Sequence, residues 1–358
     1  MGLPEILITF QKAASEAVAR SSRGMAAILI NDDTKEQFLT PYVRMKDVKE
    51  EDWKAANLRL FKLLFKGGPN KVLAVRLLKK DGASDLAGTL KEIQHLNIDY
   101  MVYPDYSPAD MTFIKGYIEE SHERGKKIKA VLPDCAAESE HIINFATGGI
   151  TVRWEDEDAL AEYTAAEYCC RTVGILAGLP LSESCTCYEL DEVVDAQLEE
   201  DADKAVDEGK LIIVFDGDKY KLGRGVTSLT KTSADKPEDL KKIKIVEGMD
   251  VIRHDIYQTF EDAYVGKVVN SYDSKQMFVG AVNEYLRSME GTILDGNAEN
   301  YVEVNGEGNR EWLESKGTDT TDMTDQELKE ANTGSWMFLA GTVKFLDAAE
   351  DLELQMYM

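Results

Sequence analysis

The chain has 358 residues, 44% of them hydrophobic, and carries a formal net charge of −25 with a pI near 4.6. This length and hydrophobic content support two domains, or one large domain with additions, and exclude general disorder. The negative charge argues against nucleic acids and anionic membrane surfaces as partners, because both would repel the chain.

Cysteine usage and hydropathy favour a cytosolic protein. Five cysteines, an odd number, do not make a disulfide framework in a chain this long and indicate reduced thiols. No apolar run reaches the ~18 residues of a membrane-spanning helix, and no signal peptide is visible. We therefore expect a protein made in the cytosol that does not insert directly into a membrane.

The first residues predict an extended arm. Ile6, Ile8 and Phe10 fall on one face of a weakly alternating segment, which is the period-2 pattern of a β-strand. Small and polar residues between 12 and 24 can link such an arm to a folded body. We predict an N-terminal arm over residues 1–24.

Residues 25–235 predict an α/β domain. Apolar segments that indicate strands alternate with segments of helical periodicity. The predicted strands are 26–30, 71–78, 98–103, 127–132 and 142–145, and the predicted helices are 51–66, 84–96, 107–125 and 158–179. Crossover connections of this length predict a mainly parallel sheet with flanking helices.

The end of this domain is polar. An acidic stretch over 190–208 predicts a solvated helix face or a surface loop. A hairpin follows, with strands 210–215 and 220–222 and a turn at Asp216-Gly217-Asp218. A polar segment over 230–238 marks the domain boundary.

Residues 236–346 predict a C-terminal α+β domain. Its predicted helices are 250–265 and 275–291, and its predicted strands are 243–246, 301–304 and 336–346, with a turn at 305–308. The last twelve residues, 347–358, form a predicted C-terminal arm. Leu352, Leu354, Met356 and Met358 lie on one face of a strictly alternating strand, although chain ends normally fray. Such a strand needs a partner, and two ends of this kind suggest a building block rather than a self-contained catalyst.

No catalytic or nucleotide-binding motif occurs. Glycine-rich phosphate loops and nucleophile elbows are both missing from the sequence. The four histidines have no metal-binding spacing, and His122 reads as a solvated residue on a charged helix end. Cys169, Cys170, Cys185 and Cys187 could supply four thiolates for zinc, but adjacent helical residues rarely reach one ion, so packing is the favoured interpretation. We expect no catalytic residue, no metal and no cofactor.

One enzyme hypothesis stays open. Asp105 and Asp134 each follow a strand and a proline, at the strand edge where α/β active sites gather. A cytosolic hydrolase-like enzyme is therefore an alternative, although both residues also fit helix capping and turn formation.

Basic residues cluster after the boundary. Lys241, Lys242 and Lys244, followed by Arg253, stand out in so acidic a chain. They suit an acidic face of a partner or a neighbouring copy, or else are ordinary surface lysines.

Four segments resemble contractile tail sheath proteins, in particular the short sheaths of PBSX-like prophages and R-type bacteriocins. TFEDAYVGKVVNSYD (259–273) resembles their C-terminal domain, and GLPEILITFQKAASEAVARSSRG (2–24) resembles their N-terminal arm. GKLIIVFDGDKYKLGRGVTSLT (209–230) is similar to the hairpin that leads into the C-terminal domain. GTVKFLDAAEDLELQMYM (341–358) is similar to the closing strand and arm.

The resemblance implies a structural protein rather than an enzyme. Sheath subunits form hexameric rings that stack into a helical sheath around an inner tube and contract to drive the tube through a target cell envelope. The resemblance also implies extended terminal arms that add strands to the C-terminal domains of neighbouring subunits. It implies baseplate and terminator proteins as further partners, assembly in the bacterial cytoplasm, and release by lysis as a phage tail or bacteriocin particle. Because the family contacts its tube through the C-terminal domain, Lys241, Lys242 and Lys244 become candidates for a tube or neighbour contact. A fimbria-like or capsid-like assembly that exchanges strands is a further alternative.

Overall fold

The structure, a computed structural model, describes residue 18 and residues 23–155, 159–234 and 236–358. The described chain forms two compact units. Residues 23–254 together with 347–358 are the α/β unit, and residues 255–346 are the C-terminal unit. The predicted domain boundary between 235 and 236 remains a prediction. The N-terminal candidates Ile6, Ile8 and Phe10 lie outside the described residues.

The α/β unit alternates strands and helices along the chain. Its elements are β1 (Met25–Ile30), β2 (Leu39–Tyr42), α1 (Ala55–Lys66), β3 (Lys71–Arg76), β4 (Leu78–Lys80), β5 (Ala83–Asp85), α2 (Leu86–Ile93), β6 (Tyr100–Val102), α3 (Met111–Glu123), β7 (Lys129–Pro133), β8 (Ile142–Phe145), β9 (Gly148–Arg153), β10 (Leu160–Tyr163), α4 (Ala165–Gly178), β11 (Val193–Gln197), α5 (Ala202–Asp207), β12 (Lys210–Leu211), β13 (Ile213–Phe215), β14 (Tyr220–Leu222) and α6 (Ile243–Ala263), which continues into the C-terminal unit.

Seven strands make the central sheet in the order β12-β8-β7-β6-β1-β3-β2. All neighbouring pairs are parallel except β2 with β3 at one edge. The interior strand β1 is apolar and buried on both faces, as parallel strands covered by helices are. Ala26, Ile28 and Ile30 pack into one hydrophobic core, and Ala27 and Leu29 into the other. The prediction of an α/β fold with a mainly parallel sheet is confirmed.

Helices α1 and α4 cross at glycines. A Cβ on Gly174 would lie 2.0 Å from the carbonyl oxygen of Leu64, so only glycine permits this backbone approach. Cys169 and Cys170 lie on α4 and are buried in the core. The predicted start of α4 at residue 158 was wrong, because Leu160–Tyr163 pairs with β9 and Thr164 caps the helix.

Two other predictions in this unit fail because of long-range partners. Glu192, in the acidic stretch predicted to be solvated, is buried and accepts hydrogen bonds from Arg171 Nε at 2.6 Å and the Tyr168 hydroxyl at 2.8 Å. His122, predicted to be solvated, is also buried.

The predicted strand 243–246 is the first turn of α6 instead, since a short apolar run fits either structure.

The C-terminal unit contains α7 (Tyr272–Met289), β15 (Tyr301–Val304), α8 (Gly306–Ser315), α9 (Asp325–Glu330) and β16 (Leu339–Thr342). Strand β15 pairs antiparallel with β16. The predicted turn at 305–308 is wrong, because the Asn305 side chain accepts the Gly308 N–H at 2.9 Å and caps α8. Across the described residues, no helix combines the length and apolar character needed to cross a membrane.

Candidate assembly interface

The C-terminal arm begins with an acidic root, residues 347–351, that is bound to the α/β unit. The Glu350 side chain is only 6% exposed and accepts hydrogen bonds from Ser184 Oγ at 3.0 Å and Thr186 Oγ1 at 2.6 Å. Charge-assisted hydrogen bonds to a carboxylate are among the stronger ones in proteins. Glu350 therefore fixes the place from which the arm leaves the unit.

Two basic side chains of the α/β unit bind the root. Lys242 pairs with Asp347 and lies 3.6 Å from Glu350, and Arg224 lies 2.6 Å from Asp351. Burial opposes the charge on Lys242, but the nearby carboxylates more than offset it and raise its pKa. Hydrogen bonding to Asp351 likewise raises the pKa of Arg224. Both cations stay charged at neutral pH, so the root is held by ion pairs as well as by Glu350.

This pairing gives part of the basic cluster a role within its own chain. Lys242 binds the arm, whereas Lys241 lies 3.7 Å from Glu238 and Lys244 donates to the Ser182 carbonyl oxygen at 3.0 Å. A tube or neighbour contact through the three lysines remains a prediction.

Beyond the root the arm is extended and exposed. Leu352 is 89% exposed, Leu354 68% and Met356 83%, and Met358 is fully exposed. From residue 343 onward the chain forms neither a helix nor a strand, apart from an isolated β-bridge at Phe345. The alternating apolar face is therefore present in the single chain, but the described residues offer it neither a backbone partner nor a core to enter.

The β15–β16 pair presents an open strand edge. The Asn283 side chain accepts the Val302 N–H at 2.7 Å and donates to the Val302 carbonyl at 2.9 Å, so the backbone groups of Val302 point away from β16. Gly341 lies opposite Val302. In an antiparallel pair, the backbone groups of two opposite residues point either toward each other or both away from the partner strand. Gly341 and Leu339 therefore direct backbone groups outward, and the described residues supply no third strand.

An apolar groove lies beside the start of β16. It is lined in part by Phe260, Tyr264, Val268 and Met337. Trp336 is 61% exposed next to it. Exposed apolar surface beside an open strand edge is typical of a strand-addition site.

The enzyme candidates lack such an arrangement. Asp105 and Asp134 are both exposed, and Asp134 occupies a left-handed backbone conformation with φ of 46° after β7. Asp216 accepts the N–H groups of Asp218 and Lys219, as a turn former does.

Known proteins show similarity along the whole chain. A family model described as the phage tail sheath C-terminal domain matches residues 235–357. The tail sheath protein of Clostridium phage phiCD119 is 32% identical and aligns with 100% of this chain and 99% of its own length.

Solved structures agree in fold. The helical sheath of the anti-feeding prophage in its contracted state matches 100% of this chain and 99% of its own, with a TM-score of 0.69 at 16% identity. A sheath tail protein from Desulfitobacterium hafniense matches 84% of this chain and 93% of its own, with a TM-score of 0.64 at 15% identity.

Proposed function

This chain belongs to the tail sheath protein family, and we propose that it polymerises by adding its C-terminal arm to the β16 edge of a neighbouring copy. It is a structural sheath subunit and not an enzyme. The hypothesis of a hydrolase using Asp105 or Asp134 is wrong, because the relative that is 32% identical over the whole chain is a tail sheath protein.

The exposed apolar arm is the observation that carries the proposal. Leu352, Leu354, Met356 and Met358 expose one apolar face on a segment whose root is fixed by Glu350. Pairing with a strand edge would satisfy the arm's backbone groups and bury that face at the same time.

The β15–β16 pair is a suitable acceptor. A two-stranded pair is only marginally stable in water, and a third strand would extend it. Because the β15 side is occupied at Val302 by Asn283, the β16 side is the edge that receives the arm. The groove lined by Phe260 and Met337 then lies beside the incoming apolar side chains.

Such a contact joins two different surfaces, the arm and the β16 edge, and it is head-to-tail when each copy donates its arm to one neighbour and accepts an arm from another. Head-to-tail contacts generate rings or open helical polymers. The polymer proposed for this chain is a sheath of stacked hexameric rings around an inner tube, attached to baseplate and terminator proteins. It contracts by switching between two packings of rigid units and drives the tube through a target envelope. Assembly takes place in the bacterial cytoplasm, and lysis releases the particle. The N-terminal arm, with Ile6, Ile8 and Phe10, would add a second strand contact.

A complementation experiment tests the head-to-tail arrangement. A chain lacking residues 352–358 can accept an arm but cannot donate one. Leu339→Pro removes an outward N–H from β16, where an edge strand tolerates proline, so this chain can donate but not accept. We expect neither variant to polymerise alone, whereas an equimolar mixture forms dimers, measured by light scattering after size-exclusion chromatography.

Gln355→Ala is the matched control, because Gln355 lies on the polar face of the arm and hydrogen-bonds there with Glu353 and Tyr357. This variant should form the same tubes as the unmodified chain in negative-stain micrographs. Tubes formed by the truncated chain alone would overturn the proposal.

A further inference from the structure

Two histidines and an aspartate meet inside the α/β unit. His122 lies in the last turn of α3, His141 directly precedes β8, and Asp250 lies on α6. Their side chains are 6%, 14% and 1% exposed. Asp250 Oδ1 lies 3.7 Å from His122 Nδ1 and 3.3 Å from His141 Nε2. The sequence separation of the two histidines concealed this cluster from motif analysis.

One nitrogen in the cluster has no hydrogen-bond partner in the described part of the chain. His122 Nε2 lies 2.8 Å from the Ile128 carbonyl oxygen, which can only accept, so Nε2 carries the hydrogen. The lone pair is then on Nδ1, which is buried and makes no hydrogen bond. A buried, unpaired lone pair on a neutral imidazole is destabilising unless something binds it.

Lys129 orients the carboxylate. Its Nζ lies 2.9 Å from Asp250 Oδ2 and 3.0 Å from Glu247. The second oxygen of Asp250, Oδ1, is left facing the imidazoles. Hydrogen bonds of this kind commonly position metal-binding carboxylates.

We propose that His122 Nδ1, His141 Nε2 and Asp250 Oδ1 bind one divalent transition-metal ion, with Zn²⁺ as the best fit. The three donor atoms lie within 4.8 Å of one another. Zinc bonds to histidine and carboxylate are about 2.0–2.2 Å long, so tetrahedral donors must be roughly 3.4 Å apart. The distances from Asp250 Oδ1 to His122 Nδ1, 3.7 Å, and to His141 Nε2, 3.3 Å, lie on either side of that value. Imidazole donors select against Mg²⁺ and Ca²⁺, which prefer oxygen ligands.

Binding requires a small rearrangement of the rings. The His122 and His141 rings are stacked, with centroids 3.6 Å apart and planes at 23°. Both rings must turn about their terminal side-chain torsions before their lone pairs converge on one ion. His141 is the most exposed of the three ligands, so entry and the fourth ligand, a water molecule, belong on its side.

The ion would connect three elements of the α/β unit. It would join α3 and the start of β8 to α6, whose chain continues into the C-terminal unit. Metal that binds only the folded state stabilises it by mass action. The inferred role is therefore structural.

Metal analysis of the full chain tests the inference. Protein treated with a chelator, then dialysed against Zn²⁺, should retain one equivalent by mass spectrometry and melt at a higher temperature than with Mg²⁺. His122→Gln and His141→Gln should each weaken binding by more than about tenfold, since even outer partners of a metal act on that scale. His95→Gln is the control, because His95 is exposed and outside the cluster.

A spectroscopic measurement on the unmodified chain covers the case in which a variant fails to fold. X-ray absorption of the zinc-loaded chain should show nitrogen and oxygen neighbours with histidine scattering and no sulfur. Less than one equivalent of zinc, a sulfur shell from the cysteines, or unchanged binding in a folded His122→Gln chain would overturn the inference.

Discussion

Replacing both Leu354 and Met356 by alanine should weaken assembly without affecting the fold. Full burial of such side chains is worth about 1.5–3 kcal/mol each. Leu354 is already a third covered and Met356 a sixth, with exposures of 68% and 83%. Scaling by these exposures leaves about 2–4 kcal/mol to be gained at each arm contact when a neighbour covers both side chains. The double variant should therefore raise the concentration at which polymer forms by roughly 30- to 1000-fold.

The assay is sedimentation of polymer over a concentration series, with thermal unfolding measured in parallel below the assembly threshold. The melting temperature should match that of the unmodified chain, because neither side chain enters a core of its own subunit. Gln355→Ala again serves as the control. If the double variant assembles at the normal concentration, or if it melts earlier as an isolated subunit, the arm does not act through a neighbour and the reasoning fails.

Three further predictions concern the fold. Gly341→Ala would place a Cβ 2.0 Å from a backbone oxygen of β15, so we expect the C-terminal unit to lose about 1–3 kcal/mol in urea denaturation. Gly174→Ala should cost the α/β unit at least as much, and an unchanged midpoint in either variant would show that the backbones are less close than described. Lys129→Met would leave the buried carboxylates of Glu247 and Asp250 without their ammonium partner and should cost about 3–5 kcal/mol at pH 7. Burial opposes ionisation of Glu247, but nearby cations, chiefly Lys129, hold its pKa at about 2, so its stabilising contribution is present above about pH 4.5 and lost as the pH falls toward 2. Acid titration of unfolding should show this loss in the unmodified chain and a smaller one in the variant.

Local pattern predicted much of the fold. The strands 142–145 and 301–304 have the predicted bounds because their apolar or alternating residues are framed by turn formers. The strand predicted over 243–246 is helical, since four apolar-rich residues do not distinguish the two periods and the longer helix includes them. Asn305 was assigned to a turn because asparagine favours both turns and helix caps.

The neighbours of buried charged residues were harder to predict from the sequence. Glu192 and His122 each lie in a charged sequence segment, and nothing local places Arg171 beside Glu192 or Asp250 beside His122. The arm itself was visible as a period-2 pattern, but its root was not. Glu350 is bound by Ser184 and Thr186 from a distant part of the chain, and hydroxyl side chains carry no periodic signal.

The fixed root also limits how far the apolar face over residues 352–358 can lie from the α/β unit. A fully extended chain covers at most about 3.5 Å per residue, so Met358 lies within roughly 25 Å of Asp351. A strand so close to its root cannot search for distant molecules in solution. Under the proposed function, the arm would therefore bind only a copy that other surfaces have already brought alongside, would form its contact late in assembly, and would keep neighbouring copies linked when their bodies move.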